Sequence, residues 1–143
     1  MAVQTFDRKC IALAQLETAL RLYFEGEDYF SVITLGGAAD EIFGKLLTSS
    51  GVENSLESTK KAVAAIHLKL YGEPLEPKVV TDRANRARNA LKHISKDGPS
   101  TITFDAKEEA KDMLNRAIDN YWLLEEWLTP EMERFNESET IEA

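Results

Sequence analysis

The residues best suited to chemistry lie in one basic segment, residues 78–96. It holds six of the chain's seventeen lysines and arginines and a single acid, Asp82. Within it, Arg88 is followed directly by the polar residue Asn89 and, five positions after the arginine, by His93. Asn89 can orient a neighbouring side chain or donate a hydrogen bond to a phosphate. The pattern favours a local site for a polyanion, and its plainest alternative is a solvated helix face.

Composition limits what such a site can be part of. The 143 residues carry a formal net charge of −8, so a polyanion partner needs a local basic patch. Cys10 is the only cysteine, which excludes an internal disulfide and fits a reducing compartment. The first residues lack the basic start and apolar run of a signal peptide, and no apolar run approaches the roughly 18 residues of a membrane span. We therefore expect a cytoplasmic protein with no membrane span.

Helical periodicity accounts for nearly all of the chain. Apolar residues recur every three or four positions at about 6–24, 28–48, 55–71, 77–95 and 105–128. Because the connections are short, neighbouring helices should run antiparallel. The expected fold is all-α, a four- to five-helix up-down bundle forming a single domain over residues 1–130. Residues 131–143 carry five acids and one arginine, and we expect them to be an acidic, frayed tail.

Several local signals place the helix ends and one close contact. Asp28 is a suitable N-cap, Pro77 suits a first helical position, and Asp105 has capping-box spacing to an acid three residues later. The adjacent Gly36 and Gly37 fall in mid-helix, where each costs about 1 kcal/mol relative to alanine. We expect this cost to be offset by close approach of a neighbouring helix or of a second subunit.

A helical projection divides the fourth segment into two faces. One face forms an apolar seam for the core, made by Val80, Ala84, Ala87, Leu91 and Ile94. The opposite face is polar and holds Asn85, Asn89, Lys92 and Lys96. Arg88 flanks this polar face on one edge, and Arg86 and His93 flank it on the other. The projection therefore predicts that neither Arg88 nor His93 is needed for packing.

This segment resembles the HEPN superfamily. Arg88-Asn89-x-x-x-His93 matches the Arg-x(4–6)-His signature of that superfamily, including its preferred polar residue after the arginine. The order of helices over residues 6–128 is also similar, with an antiparallel first pair and the motif late in the fourth helix. The resemblance implies a metal-independent endoribonuclease fold that uses no cofactor and acts as a homodimer, with two motifs forming one basic cleft.

The resemblance also implies a role for each motif residue. An RNA 2′-hydroxyl would attack the adjacent phosphate and expel the 5′-oxygen, with His93 as general acid or base. Arg88 would bind the phosphate and Asn89 would orient either group. The RNA strand would be bound by Arg86, Lys92 and Lys96. On one continuous helix Arg88 and His93 lie about 140° apart, so a dimer that combines two copies is expected.

Other interpretations remain open. One interpretation is such an RNase, and the resembled family often supplies the toxin of a toxin–antitoxin pair. A second is a non-catalytic HEPN-type module that binds a ligand or a nucleotidyltransferase partner. A third is a bundle that only dimerises. His67 is expected to be structural. Asp40 and Glu41 form either an exposed acidic pair, which we favour, or a buried acid that supports the basic site. No acid precedes either histidine by three residues, which argues against a di-iron site, and one cysteine with two histidines does not suffice for zinc.

Overall fold

The computed structural model describes residues 2–142, which form six α-helices and contain no β-strand. The helices are α1 Arg8–Glu25, α2 Tyr29–Ser49, α3 Ser55–Tyr71, α4 Pro77–Ala90, α5 Ala106–Glu125 and α6 Pro130–Glu142. The all-α bundle is confirmed. The structure has six helices, one more than the five segments in which periodicity predicts a helix.

The predicted helix starts agree with the structure. The Asp28 side chain accepts a hydrogen bond from the backbone N–H of Ser31 at 3.0 Å, and Asp105 accepts one from Glu108 at 3.1 Å. Pro77 is the first residue of α4. Each cap satisfies a backbone donor that the helix itself leaves unpaired.

The apolar core lies between α1, α2, α5 and α6. The apolar stripe of α2 contacts both α1 and α5, which makes α2 the central helix. The largest fully buried apolar side chains of the core are Leu16, Leu20, Val32, Ile33, Phe43, Leu47, Leu114, Tyr121, Met132 and Phe135.

The prediction of a frayed tail is wrong for the residues described. The segment forms α6, in which Met132 and Phe135 are completely buried. The Phe135 ring packs edge-on against Tyr23, with ring centroids 5.3 Å apart. Two apolar side chains three positions apart lie on one side of a helix, so the acids can remain in solvent. The charge count obscured this short stripe.

The two helices α3 and α4 pack differently from the other four. No α3 side chain is fully buried, and Ile66 and Leu70 are 59% and 69% exposed. The α4 helix ends at Ala90, five residues earlier than predicted, and the chain continues as a turn in which the His93 N–H donates to the Asn89 carbonyl. Ile94, placed in the apolar seam by the projection, is 78% exposed because the helix has ended before it.

None of the helices within residues 2–142 combines the length and apolar character that crossing a membrane requires.

Candidate functional site

Two helices approach α2 at the glycine pair, α4 at Gly37 and α5 at Gly36. A Cβ added to Gly37 would lie 2.5 Å from Cδ of Arg88, and one added to Gly36 would lie 3.3 Å from Cγ of Met113. Both glycines are therefore explained by close helix packing within one chain, which confirms the first of the two expectations. Arg88 is half-buried across α2. The prediction that Arg88 is not needed for packing is wrong.

Beneath Arg88, a buried ion pair joins α2 to α5. Arg116 Nη2 donates to Asp40 Oδ2 at 2.7 Å, and both side chains are largely buried. Arg116 Nη1 also donates to the Ala84 carbonyl at 3.1 Å and to Asn85 Oδ1 at 2.9 Å. The Arg116 guanidinium thus links α4 to α2 and α5.

Asn85 was expected on the exposed polar face, and the structure buries it. Its partner Arg116 explains the difference, since a polar side chain can be buried when a charged donor satisfies it. The helical projection considered residue types on α4 alone and could not identify a donor on another helix.

The same network reaches the start of α3. Asn120 Nδ2 donates to Asp40 Oδ1 at 2.9 Å, and Asn120 Oδ1 accepts from the Ser55 N–H at 2.8 Å. Gly44 leaves room here, because a Cβ on it would approach the amides of Asn54 and Asn120. Hydrogen bonds therefore fix the first turn of α3 as well as α4.

The acidic pair of α2 divides between two environments. Glu41 is exposed, as favoured, whereas Asp40 is buried, which is the alternative reading. Burial raises the pKa of Asp40 above its ordinary value, although the charges of Arg116 and Arg88 oppose the rise. The pKa of Glu41 is lowered by its hydrogen bond from Lys45 and by the nearby charges of Arg88 and Lys92.

These residues enclose an open cleft of about 180 Å³. Its polar lining includes Asp40, Lys45, Asn85, Arg88, Arg116 and Asn120. Asp40 compensates Arg116, whereas Arg88 makes no ion pair within residues 2–142. The Arg88 Nε is buried without a hydrogen-bond partner in that range, so it is closed to a ligand. An anion in the cleft would therefore be bound by the Nη groups of Arg88, the arginine of the lining that makes no ion pair within residues 2–142.

The other predicted site residues are exposed and lie outside the lining of this cleft. Asn89 and His93 are exposed and do not line it. Arg86, Lys92 and Lys96 are also exposed. The structure thus brings Arg88 into a cleft and leaves the remaining motif residues accessible at and beyond the end of α4.

His67, the histidine outside the motif, has the structural role expected of it. His67 Nδ1 lies 2.9 Å from the Glu73 carbonyl oxygen, and its ring contacts that of Tyr71. These contacts tie the end of α3 to the following turn. Among residues 2–142 there is no cluster of three or more histidine, cysteine, aspartate or glutamate side chains arranged to hold a metal ion.

The protein-family models, curated proteins and solved structures compared with this chain include no match.

Sequence reasoning missed Asn85, Arg116 and Asn120 as parts of the site. One signal was present for Asn120, which lies three residues after Ala117 in the apolar stripe of α5, where a polar side chain needs a partner. Arg116 lies beside that stripe and gave no comparable signal. Its role depends on Asp40, which is 76 positions away in the sequence.

Proposed function

We propose that the protein is a metal-independent endoribonuclease of the HEPN type. The observation that carries the proposal is the arrangement of Arg88 and His93. Arg88 is positioned by buried contacts in a cleft and lacks a carboxylate partner in residues 2–142. His93 lies five residues after Arg88, beyond the end of α4, and is exposed to solvent. An arginine in a cleft and an accessible histidine are the two kinds of group that the proposed phosphoryl transfer uses.

The proposed reaction is transesterification within the RNA strand. The 2′-hydroxyl oxygen forms a bond to the adjacent phosphorus, and the bond from phosphorus to the 5′-oxygen breaks. A histidine takes the 2′-hydroxyl proton and a protonated histidine supplies one to the leaving oxygen, giving a 2′,3′-cyclic phosphate and a 5′-hydroxyl. Arg88 donates to the phosphate oxygens as negative charge increases. Asn89 orients the phosphate or the histidine.

Two proton transfers call for two histidines, and the proposal takes one His93 from each subunit of a homodimer. Arg88 and His93 do not lie about 140° apart on one helix, since α4 ends at Ala90 and His93 lies beyond it. The dimer is therefore carried by the two proton transfers of the proposed reaction.

The test is cleavage of RNA by purified protein in EDTA. We expect His93→Ala to lower the cleavage rate by about 100-fold or more, the usual contribution of general acid–base catalysis. The matched control is His67→Gln, which alters the other histidine and should retain activity. Equal cleavage by His93→Ala and the parent would contradict the proposal, as would a parent that binds RNA without cleaving it, which is the behaviour of the non-catalytic module.

The proposal places the reaction in the cytoplasm, with the toxin of a toxin–antitoxin pair as its cellular role. Expression in a bacterial host should then arrest growth, and the His93→Ala protein should not. Growth arrest by both proteins at equal abundance would mean that the toxicity does not depend on His93, which would contradict a toxin that acts by RNA cleavage.

A further inference from the structure

A second cleft lies beside the first, across the outer surface of α2. Its volume is about 350 Å³, and it shares Glu41 and Lys45 with the first cleft. The floor is aliphatic and consists of Ala38, Ile42 and Leu46. The two clefts are therefore neighbours, with the Glu41–Lys45 ion pair lining both, and the second has an apolar floor that the proposed chemistry does not use.

The rim of this second cleft is cationic. It is lined by Arg8, the first residue of α1, and by Lys92, in the turn that follows α4. Neither makes an ion pair with any residue of the described range, 2–142. Glu41 lines the same cleft and is bound to Lys45 at 2.9 Å, so the lining carries three cations and one acid in a chain of net charge −8.

We propose that the second cleft binds one nucleotide of the RNA strand, next to the phosphate held by Arg88. The base lies on the aliphatic floor, and Arg8 and Lys92 bind the phosphate that follows it. Clefts of about 300–1,000 Å³ with a mostly apolar lining and a few polar groups are typical of small-ligand sites. The inference rests on the proposed function, since that function supplies the strand, and it adds Arg8 and the α2 floor to the RNA-binding residues.

The test measures binding of a single-stranded 2′-O-methyl RNA oligonucleotide, which cannot be cleaved through a 2′-hydroxyl. We expect Arg8→Glu to weaken binding by about tenfold and to reduce the slope of log K against log salt by roughly 0.7, as for one lost phosphate contact. The matched control is Arg21→Glu, since Arg21 is an exposed arginine on the same helix. The control should bind within about twofold of the parent at moderate salt, where distant charges are screened.

A second variant tests the floor without changing charge. Ala38→Phe fills the cleft from the half-buried position 38 and should weaken binding by about fivefold while leaving the salt slope unchanged, since no phosphate contact is removed. Circular dichroism should show that the helical content is retained. If Arg8→Glu and Ala38→Phe both bind as the Arg21→Glu control does, the inference is wrong.

Failure of this inference differs from failure of the proposed function. RNA cleavage that depends on His93, combined with binding insensitive to Arg8 and Ala38, removes the second cleft and retains the RNase. Binding that is sensitive to both residues, without cleavage of unmodified RNA, retains the cleft as an RNA site and removes the catalysis. A parent that binds no RNA contradicts both.

Discussion

The four-helix core and the α3–α4 pair are held by different forces. In the core, side chains such as Ile33 are completely buried. On α3, Ile66 is 59% exposed. The α3–α4 pair is joined to the core by polar contacts, with Arg116 binding α4 and Asn120 binding the start of α3, and by the apolar residues Ala87 and Leu91.

This difference bears on the proposed site. Apolar burial is non-directional and stabilises many similar arrangements, whereas hydrogen bonds to a guanidinium require one geometry. Arg88 lies on the helix that Arg116 fixes, so the polar contacts help to set its position together with its packing across Gly37. The polar network thus adds directional contacts to a helix that apolar burial alone would hold less specifically.

The largest effect is expected in the core. Phe135→Ala should lower the free energy of unfolding by about 3–5 kcal/mol, since it removes a fully buried aromatic ring. Denaturant unfolding checks this. The control is Ile141→Ala in the same helix, which should have little effect because Ile141 is 85% exposed. Equal effects from the two variants would mean that α6 is not part of the core.

Composition did not predict that α6 packs into the core. Its acids outnumber its basic residues, and they are the part of the segment that a charge count registers. Its stability comes from Met132 and Phe135, which fill the space beside Tyr23. That space is created by helices far away in the sequence, so no local pattern could identify it.

An intermediate effect is expected where the two regions meet, at Gly37. In an open helix position Gly→Ala stabilises by about 1 kcal/mol. Here the new methyl would overlap Arg88, and overpacking of this kind costs about 1–3 kcal/mol. We expect Gly37→Ala to destabilise the parent by about 1 kcal/mol and to stabilise the Arg88→Ala variant by a similar amount. A double-mutant cycle by denaturant unfolding measures this. The same sign in both backgrounds would contradict the contact.

The fold was more predictable than the site. Both ends of α2 and α3 and the start of α5 follow, within a residue, from periodicity and from caps such as Asp28 and Asp105, all of which are local signals. The end of α5 does not, since the helix stops at Glu125, three residues before the predicted end. The motif was also visible locally. The pairing of Asp40 with Arg116 was not, because a buried ion pair is specified by two distant residues and by the loss of solvent around both.

The smallest effect is expected on α3. Ile66→Ala should change the unfolding free energy by no more than about 0.5 kcal/mol, whereas Ile33→Ala, the same substitution in the core, should cost about 2–5 kcal/mol. Unfolding at several protein concentrations sharpens the comparison. A loss above about 1 kcal/mol that is independent of concentration would mean that α3 is packed within the monomer after all. A loss that grows with concentration would place Ile66 in the homodimer interface, since association stabilises the folded chain by mass action. In that case the exposed apolar side chains of α3 are buried in the proposed homodimer. The difference in burial between α3 and the four-helix core then holds for the monomer alone.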